Sequence, residues 1–409
     1  MLLKSNESYS AGDVILSLKP IVFIVSAKSR LKRCNYCLAI CNALKACSGC
    51  RYFQYCSQGC QKKDWKSFHK QECRVFKKAK ETSSPFLSMG SELLMLRVYL
   101  TFKAHPELLD LKYRLPDGLQ LCFNDLMSNL EAIKQDEERM TKVTGLQTLL
   151  REIIPDFDEE SFFLVYGRVC TNSYGLEEEF DTDKIGHVLL IDAAAINHSC
   201  RPNAFIMSCG LNIELRALES ISAGEEITVS YIGLVKSREH RRQELKSNWY
   251  FDCFCRRCCI EDDDVVDQIE MKEREICQRV CDSTTDEMSK FHDLFFLILD
   301  FIRLHILVLH DHHPLITRLL FRASKARLNA NPKFSDKESL NSVFKRFETE
   351  ILVTHGKHHP MYKQFEDMKE ISFYDFLLQE AAKERKLPTG YQEWRSSLLC
   401  HDKWGAFKD

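Results

Sequence analysis

The chain carries the stretch NHSCRPN at residues 197–203, and this stretch decides how the fold is read. Downstream come GEEITVSY at residues 224–231 and then three cysteines at positions 253, 255 and 258. Apolar residues alternate from Ile227 to Tyr231, which is typical of a β-strand. The tetrapeptide NHSC is weak by itself, but the order and spacing of the three segments make the pattern specific.

A second pattern lies upstream, between residues 34 and 73, where cysteines concentrate. The chain has 19 cysteines, and in a reducing compartment so many indicate metal more often than disulfides. The upstream ones form short-spaced pairs, the last with a histidine: Cys34 and Cys37, Cys47 and Cys50, Cys56 and Cys60, and His69 and Cys73. Four such pairs are typical of two tetrahedral zinc sites. A disulfide framework is the alternative.

A segment this short cannot bury a useful apolar core, so we expect bound metal to supply much of its folding free energy. Residues 56–65, together with His69 and Cys73, resemble a MYND zinc finger. In that family the ligand pairs interleave. The resemblance therefore implies one zinc on Cys34, Cys37, Cys56 and Cys60, and another on Cys47, Cys50, His69 and Cys73. It also implies binding of proline-containing peptides from partner proteins.

The segments around residues 197–258 resemble a SET domain with its post-SET cysteines. With the finger upstream, the chain resembles the SMYD family of protein-lysine methyltransferases, in which the finger interrupts the SET domain. The resemblance implies an α+β fold, with a β-rich SET domain, a helical insert and an all-α, tetratricopeptide-like C-terminal domain. Its implied boundaries are 1–33 for the first part of the SET domain, 34–73 for the finger, 74–185 for the insert, 186–245 for the core SET domain, 246–262 for the post-SET zinc motif and 263–409 for the C-terminal domain.

Family roles transfer to single residues of this sequence. Tyr231 resembles the tyrosine at the methyl-transfer pore, which makes it the catalytic candidate and part of the substrate channel. The other implied roles are cofactor binding by Asn197, His198, Asn172, Asn129 and Phe251, a second channel aromatic at Tyr174, and a third zinc site on Cys200, Cys253, Cys255 and Cys258.

The residues themselves allow other roles. Tyr231 could be a core tyrosine at the end of its strand, and His198 could be a zinc ligand beside Cys200. Phe251 either contacts the cofactor or packs under the post-SET loop. His310, His312 and His313 either bind metal or form a helix-end cluster before Pro314.

The implied function is S-adenosylmethionine-dependent protein-lysine N-methyltransferase, acting on histones or other proteins, with S-adenosylmethionine and three structural zinc ions as cofactors. The lysine amine must be neutral to attack, although its usual pKa is about 10.4, and an aromatic channel that excludes water favours the neutral form. A non-catalytic adaptor, recruiting partners through the finger and the helical domain, is the alternative.

One feature departs from the family pattern. The family opens with a Gly-x-Gly cofactor loop before a Leu-Arg-Ala-like strand, and Leu3-Lys4-Ser5 aligns best with that strand. Met1 and Leu2 then fall where the loop should end. We therefore expect the first segment of the SET domain to be truncated in this sequence, which bears on cofactor affinity.

Composition and charge narrow the class of protein. Hydrophobic residues are 44 % and charged residues 28 %, as in soluble globular proteins, and the net charge of −2 disfavours a dedicated nucleic-acid binder. The lysine-rich residues 62–80 favour either a weak nucleic-acid contact or a solvated helix face. The most apolar stretch, residues 294–309, contains charged residues and is too short for a membrane span. From the family resemblance we expect a cytoplasmic and nuclear protein.

The last third of the chain has apolar residues at helical spacing. Helices are predicted at residues 294–309, 315–329, 340–353 and 373–385. An acidic run at residues 177–183 would suit a basic peptide such as a histone tail if it lies by the substrate groove. A solvated loop is the alternative.

Overall fold

The computed structural model describes residues 2–177, 184–260, 263–282, 285–330 and 337–383. Its strands are short and lie in two groups, before residue 56 and between residues 113 and 229. They are β1 Val14–Leu18, β2 Val22–Val25, β3 Lys45–Ala46, β4 Gln54–Tyr55, β5 Tyr113–Arg114, β6 Gln120–Leu121, β7 Ser173–Glu177, β8 Lys184–Leu189, β9 Asn197–His198, β10 Ala204–Cys209, β11 Asn212–Ala217 and β12 Thr228–Val229.

Helices occupy most of the remaining described chain. They are α1 Gln58–Asp64, α2 Lys70–Glu81, α3 Ser91–Ala104, α4 Leu130–Gln135, α5 Glu137–Ile153, α6 Glu159–Asn172, α7 Arg238–Trp249, α8 Asp263–Cys281, α9 Glu287–Val308, α10 Pro314–Asn329, α11 Lys337–Thr354 and α12 Pro360–Lys383. The predicted α+β class, with a helical C-terminal region, is confirmed.

Two three-stranded antiparallel sheets form the β-rich part, with strand orders β1-β11-β10 and β2-β8-β7. β2 is buried along its whole length, which explains its continuous apolar sequence. The strands approach closely where Gly186 faces Ile24, because a Cβ at Gly186 would lie 2.2 Å from the Ile24 carbonyl oxygen. Phe23 of β2 pairs with Val188 of β8, which in turn pairs with Tyr174 of β7.

The segment that precedes β1 completes the β-rich part. The Leu3 amide donates to the Ala195 carbonyl (3.0 Å), and the Leu3 carbonyl accepts from the Ile227 amide (3.0 Å). Next to it, Lys4 forms an antiparallel bridge with Glu226. Leu3 is fully buried. This segment therefore lies between the turn before β9 and the stretch that leads into β12.

The helical C-terminal region docks on the sheet through a buried arginine. Arg216 of β11 donates to the carbonyls of Leu352 (3.2 Å) and Val353 (3.1 Å) in the last turn of α11. It also donates to the Gly12 carbonyl at 2.8 Å. A helix leaves its last carbonyls without intrahelical donors, so the guanidinium caps α11 and joins it to the sheet.

The last described helix is longer than its sequence pattern indicates. The predicted helix at 373–385 is part of α12, which begins at Pro360. Proline suits the first helical position, and the His359 side chain accepts from the Met361 amide at 3.2 Å. Residues 384 and 385 lie outside the described chain. In the described ranges, no helix combines the length and the apolar character that crossing a membrane requires.

Candidate active site and metal centres

The structure brings together the two ligand sets implied for the finger. In the first set, the Cys56 Sγ lies 3.6 Å from the Sγ atoms of Cys37 and Cys60, and Cys34 completes the group. Zinc–sulfur bonds of about 2.3 Å in a tetrahedron place sulfur atoms about 3.8 Å apart. The described cysteines are free thiols at these distances, so the spacing fits zinc and excludes the disulfide alternative here.

The second set contains the histidine. The Nε2 atom of His69 lies 3.3 Å from the Cys47 Sγ and 3.5 Å from the Cys50 Sγ. Cys73 closes the group, its Sγ 3.8 Å from that of Cys47. A π-helical turn at Trp65–His69 lies between α1 and α2, and His69 is its last residue.

A buried network of charges supports the second set. The Nδ1 atom of His69 lies 3.2 Å from the Glu72 carboxylate, the arrangement that commonly fixes the ring of a zinc ligand. Glu72 receives a two-pronged contact from Arg97 of α3, with Nε to Oε2 at 3.0 Å. Burial opposes ionisation of Glu72, but the charge of Arg97 and the hydrogen bonds leave its pKa below the usual value.

Arg97 also reaches two other parts of the molecule. It donates to the Phe23 carbonyl of β2 at 2.9 Å and to the Asp64 carboxylate of α1 at 3.4 Å. Burial raises the pKa of Asp64, which also accepts from the Tyr55 hydroxyl at 2.7 Å. The Arg97 side chain is 1 % exposed. A single guanidinium thus joins the finger to the insert and to the sheet.

The third implied set also converges. Cys200, which follows β9, meets the three cysteines after α7, and the ligand atoms of all four lie within 4.8 Å of one another. The Cys200 and Cys258 Sγ atoms are 3.5 Å apart, and the Cys200 amide donates to the Cys255 Sγ at 3.4 Å. This donor set fits zinc and links the post-SET segment to β9.

Beside these thiols, β9 carries His198, which was predicted to bind the cofactor, and the catalytic candidate Tyr231 lies two residues after β12. The two strands pair in parallel, with Val229 opposite His198. The Tyr231 amide donates to the His198 Nδ1 at 3.0 Å, and the Tyr231 hydroxyl donates to the Ile196 carbonyl at 2.5 Å. Burial lowers the pKa of His198 to about 4 and raises that of Tyr231 to about 12. Both groups are therefore neutral near pH 7.

This geometry bears on the alternatives for the two residues. The His198 Nδ1 accepts a hydrogen bond, so the proton of the neutral ring lies on Nε2. That Nε2 is 3.3 Å from the Cys200 Sγ, but the four thiols converge without it. The Tyr231 side chain is only partly buried, and its ring lies among other partly buried aromatic rings, unlike an enclosed core tyrosine.

The rings around Tyr231 include one that sequence reasoning missed. Trp249, at the end of α7, packs on Tyr231 with ring centroids 5.3 Å apart, and its indole N–H donates to the Thr171 carbonyl at 3.1 Å. Phe251 lies 6.1 Å from the His198 ring and 6.5 Å from the Tyr231 ring. Trp249 precedes Phe251 by two residues, and that spacing before Cys253 was the available signal.

The remaining implied residues surround this cluster. Asn197 is exposed and donates to Glu226 at 2.9 Å. Tyr174 donates from its hydroxyl to the Ala193 carbonyl at 3.2 Å. The Asn172 amide group donates to the Met127 carbonyl at 2.9 Å and to a carbonyl of its own helix. Asn172 therefore supports the 127–129 segment through its side-chain nitrogen.

The Asn129 side chain forms hydrogen bonds within the protein. Its side-chain nitrogen lies 3.5 Å from the Trp249 carbonyl and 3.4 Å from the Thr171 hydroxyl. Its backbone is left-handed, with φ of 51°, a conformation that asparagine tolerates better than most residues. Its predicted cofactor contact stays a prediction, as does that of Asn172.

Comparison with known proteins identifies the family to which the chain belongs. The SET domain family model matches residues 1–232, and the chain therefore belongs to the SET domain family. Its resemblance to the SMYD branch is confirmed by its relatives. It is 29 % identical over 266 residues to N-lysine methyltransferase SMYD2-B of Danio rerio, covering 64 % of this chain and 59 % of that protein.

Two further relatives agree. Human N-lysine methyltransferase SMYD2 is 28 % identical over 264 residues, which cover 64 % of this chain and 58 % of that protein. Histone-lysine N-methyltransferase SMYD3 of Mus musculus is 32 % identical over 259 residues, covering 62 % and 58 %. The matched part of this chain thus spans less than two thirds of the length of these relatives.

Proposed function

We propose that this chain is an S-adenosylmethionine-dependent protein-lysine N-methyltransferase, acting on histone or non-histone proteins. One observation carries the proposal. A partly buried tyrosine, Tyr231, is fixed by His198 and Ile196 inside a group of aromatic rings, directly beside the converged Cys200 site. The names of the SMYD relatives support the reaction type.

The chain's own groups suit such a reaction. Bound S-adenosylmethionine would supply an electrophilic methyl group on a positively charged sulfur. Aromatic faces such as those of Trp249 and Phe251 attract a cation and stack on a planar base. The neutral His198 and the exposed Asn197 offer hydrogen bonds beside them. Asn197, His198 and Phe251 are therefore the proposed holders of the cofactor, with Asn172 and Asn129 behind them.

The substrate lysine would enter between Tyr231 and Tyr174. Aromatic walls exclude water, which disfavours the ammonium form and releases a neutral amine for attack. Tyr231 is held by two hydrogen bonds, so it orients the amine without reorganising during the reaction. Its hydroxyl is protonated near pH 7, since the usual pKa of tyrosine is about 10 and burial raises that of Tyr231 further.

Zinc would act structurally at all three thiol-rich groups. Bound zinc supplies rigid tetrahedral cross-links rather than reactivity. The Cys200 group would hold the post-SET segment, and with it Phe251, beside Tyr231. The two finger groups would hold a segment that buries too little apolar surface to fold alone.

Partners and location are proposals from the family resemblance. The finger would bind proline-containing peptides of partner proteins, and the protein would work in the cytoplasm and the nucleus. The lysines at positions 62, 63, 66 and 70 are exposed, which supports a weak contact with nucleic acid.

The first test is calorimetric titration of S-adenosylmethionine into the zinc-loaded chain, followed by transfer of radiolabelled methyl to protein substrates. We expect binding in the micromolar range and label on a substrate lysine. The adaptor alternative would replace the proposal if neither this chain nor one extended by a Gly-x-Gly segment bound the cofactor.

A further inference from the structure

The segment that carries Trp249 and Phe251 has a strained backbone between the two rings. Tyr250 ends α7 with φ of 61° and ψ of 35°, in the left-handed region. A bulky residue there costs on the order of 1–2 kcal/mol, and glycine is the usual choice at such a helix end. Strain of this kind persists only where surrounding contacts enforce it.

The side chains on either side of the left-handed Tyr250 point in a different direction from its own ring. Trp249 and Phe251, on either side, both pack on the Tyr231 and His198 pair. Tyr250 points the other way, to α5 of the insert. Its hydroxyl donates to the Asp136 carboxylate at 3.1 Å, and the Arg139 guanidinium lies over its ring, 5.5 Å from the centroid.

Arg139 also forms hydrogen bonds with the last turn of α7, just before Tyr250. Its Nη2 atom donates to the Ser247 carbonyl at 3.1 Å, to the Asn248 carbonyl at 3.4 Å and to the Asn248 side-chain oxygen at 3.0 Å. A cation at the last carbonyls of a helix stabilises that helix end. The Arg139 side chain is 16 % exposed, so these contacts are largely shielded from solvent.

We propose that Arg139 and Tyr250 are positioning residues, which hold the chain in the left-handed turn that presents Trp249 and Phe251 to the active site. This inference rests on the proposed methyl-transfer function. It assigns the helical insert a role in that function: α5, more than 100 residues upstream, sets the aromatic wall of the cofactor and lysine sites.

Tyr250→Gly separates positioning from stability. Glycine adopts the left-handed conformation without strain, so α7 and the overall stability should be retained. The contacts of the Tyr250 ring with Asp136 and Arg139 are lost, however. Phe251 should then lose its fixed place, and S-adenosylmethionine should bind about tenfold more weakly, with KM for a peptide substrate rising alongside. Tyr250→Phe keeps the ring under Arg139 and should restore most of the affinity.

Arg139→Met should weaken binding in the same way, with Arg151→Met as its control. Arg151 lies on the same helix, and its ion pair with Glu159 is exposed. Melting temperature and zinc content serve as checks of folding. Equal cofactor affinity in the parent chain, Tyr250→Gly and Arg139→Met would overturn the proposal. If Arg139→Met loses zinc or unfolds, Tyr250→Gly alone decides.

A second readout does not depend on the cofactor. Amide hydrogen exchange at residues 249–251 should speed up in Tyr250→Gly and Arg139→Met but not in Arg151→Met. If neither the parent chain nor one extended by a Gly-x-Gly segment binds S-adenosylmethionine, the proposed function fails, and the exchange data still decide whether Arg139 and Tyr250 hold residues 249–251 in place. Unchanged exchange in both variants would show that they do not.

Discussion

Replacing Arg97 by methionine should destabilise the protein more than any exposed charge substitution. Methionine fills the space of the aliphatic part of the arginine side chain. It lacks the guanidinium, however, which donates to Glu72, Asp64 and the Phe23 carbonyl. Glu72 would keep only the His69 contact and Asp64 only the Tyr55 hydroxyl. Breaking a buried ion pair by removing one partner costs about 3–5 kcal/mol. We expect a loss in that range for the unit that contains the finger.

The assay is urea unfolding of the zinc-loaded chain, with zinc content measured in parallel. Lys77→Met is a matched control, because its ion pair with Glu81 is exposed on both sides and spans 3.8 Å. Such exposed pairs contribute about 0.5 kcal/mol or less. Combining Arg97→Met with Glu72→Gln should cost less than the sum of the single changes, since the double variant buries no unpaired carboxylate at that contact.

A loss below about 1 kcal/mol for Arg97→Met, or additivity in the double variant, would refute the reasoning. Either result would mean that the carboxylates find other partners or take up protons at little cost. Loss of one zinc at unchanged stability of the rest would also be informative. It would confine the role of Arg97 to orienting His69 through Glu72.

Three further predictions concern the active site, the third metal group and acid stability. Tyr231→Phe should keep the fold and slow methyl transfer roughly 5- to 150-fold, because it removes a hydrogen bond worth about 1–3 kcal/mol; unchanged rate and methylation state would exclude the assigned role. Cys200→Ser should lower bound zinc from three ions to two, measured by atomic emission on dialysed protein, whereas retention of three would show that His198 can substitute. Burial lowers the pKa of His313 to about 3, so the unfolded chain takes up a proton there below about pH 6.5 and the folded chain does not. Stability should therefore fall with decreasing pH between about 6.5 and 3, by at most about 1.4 kcal/mol per pH unit for this residue. His313→Asn keeps a helix-capping side chain and should make the urea midpoint less sensitive to pH between 7.5 and 5; an unchanged slope would contradict this.

The local parts of the metal sites could be predicted from sequence. Cys34 and Cys37 lie three residues apart, and a single turn of chain then presents both thiols to one ion. Such proximity is fixed by covalent spacing. The interleaving of the pairs was implied only by the family resemblance, and the structure brings the implied sets together.

The roles of the histidines before Pro314 could not be decided from sequence. Sequence left them open between metal binding and a helix end. In the structure, His310 lies 3.0 Å from Glu219, and His312 lies 2.9 Å from Glu350. His313 caps α10 by accepting from the Leu315 amide. No metal-ligand group found in the described residues includes them. Partners this distant along the chain leave no periodic trace in a sequence.

Sequence alone determined the ligand types and their short spacings and the helical character of the last third. It also indicated a strand at Ile227 to Tyr231, which the structure confines to Thr228–Val229. Each of these depends on neighbours within a few residues, where chain geometry limits the alternatives. Only the tertiary structure decided three sets of contacts: those of Arg97 with the finger and the sheet, the packing of Trp249 on Tyr231, and the packing of Arg139 on the Tyr250 ring. Those contacts join residues far apart in the chain, and they form because a buried charge or a strained turn is stable only where packing supplies its partners.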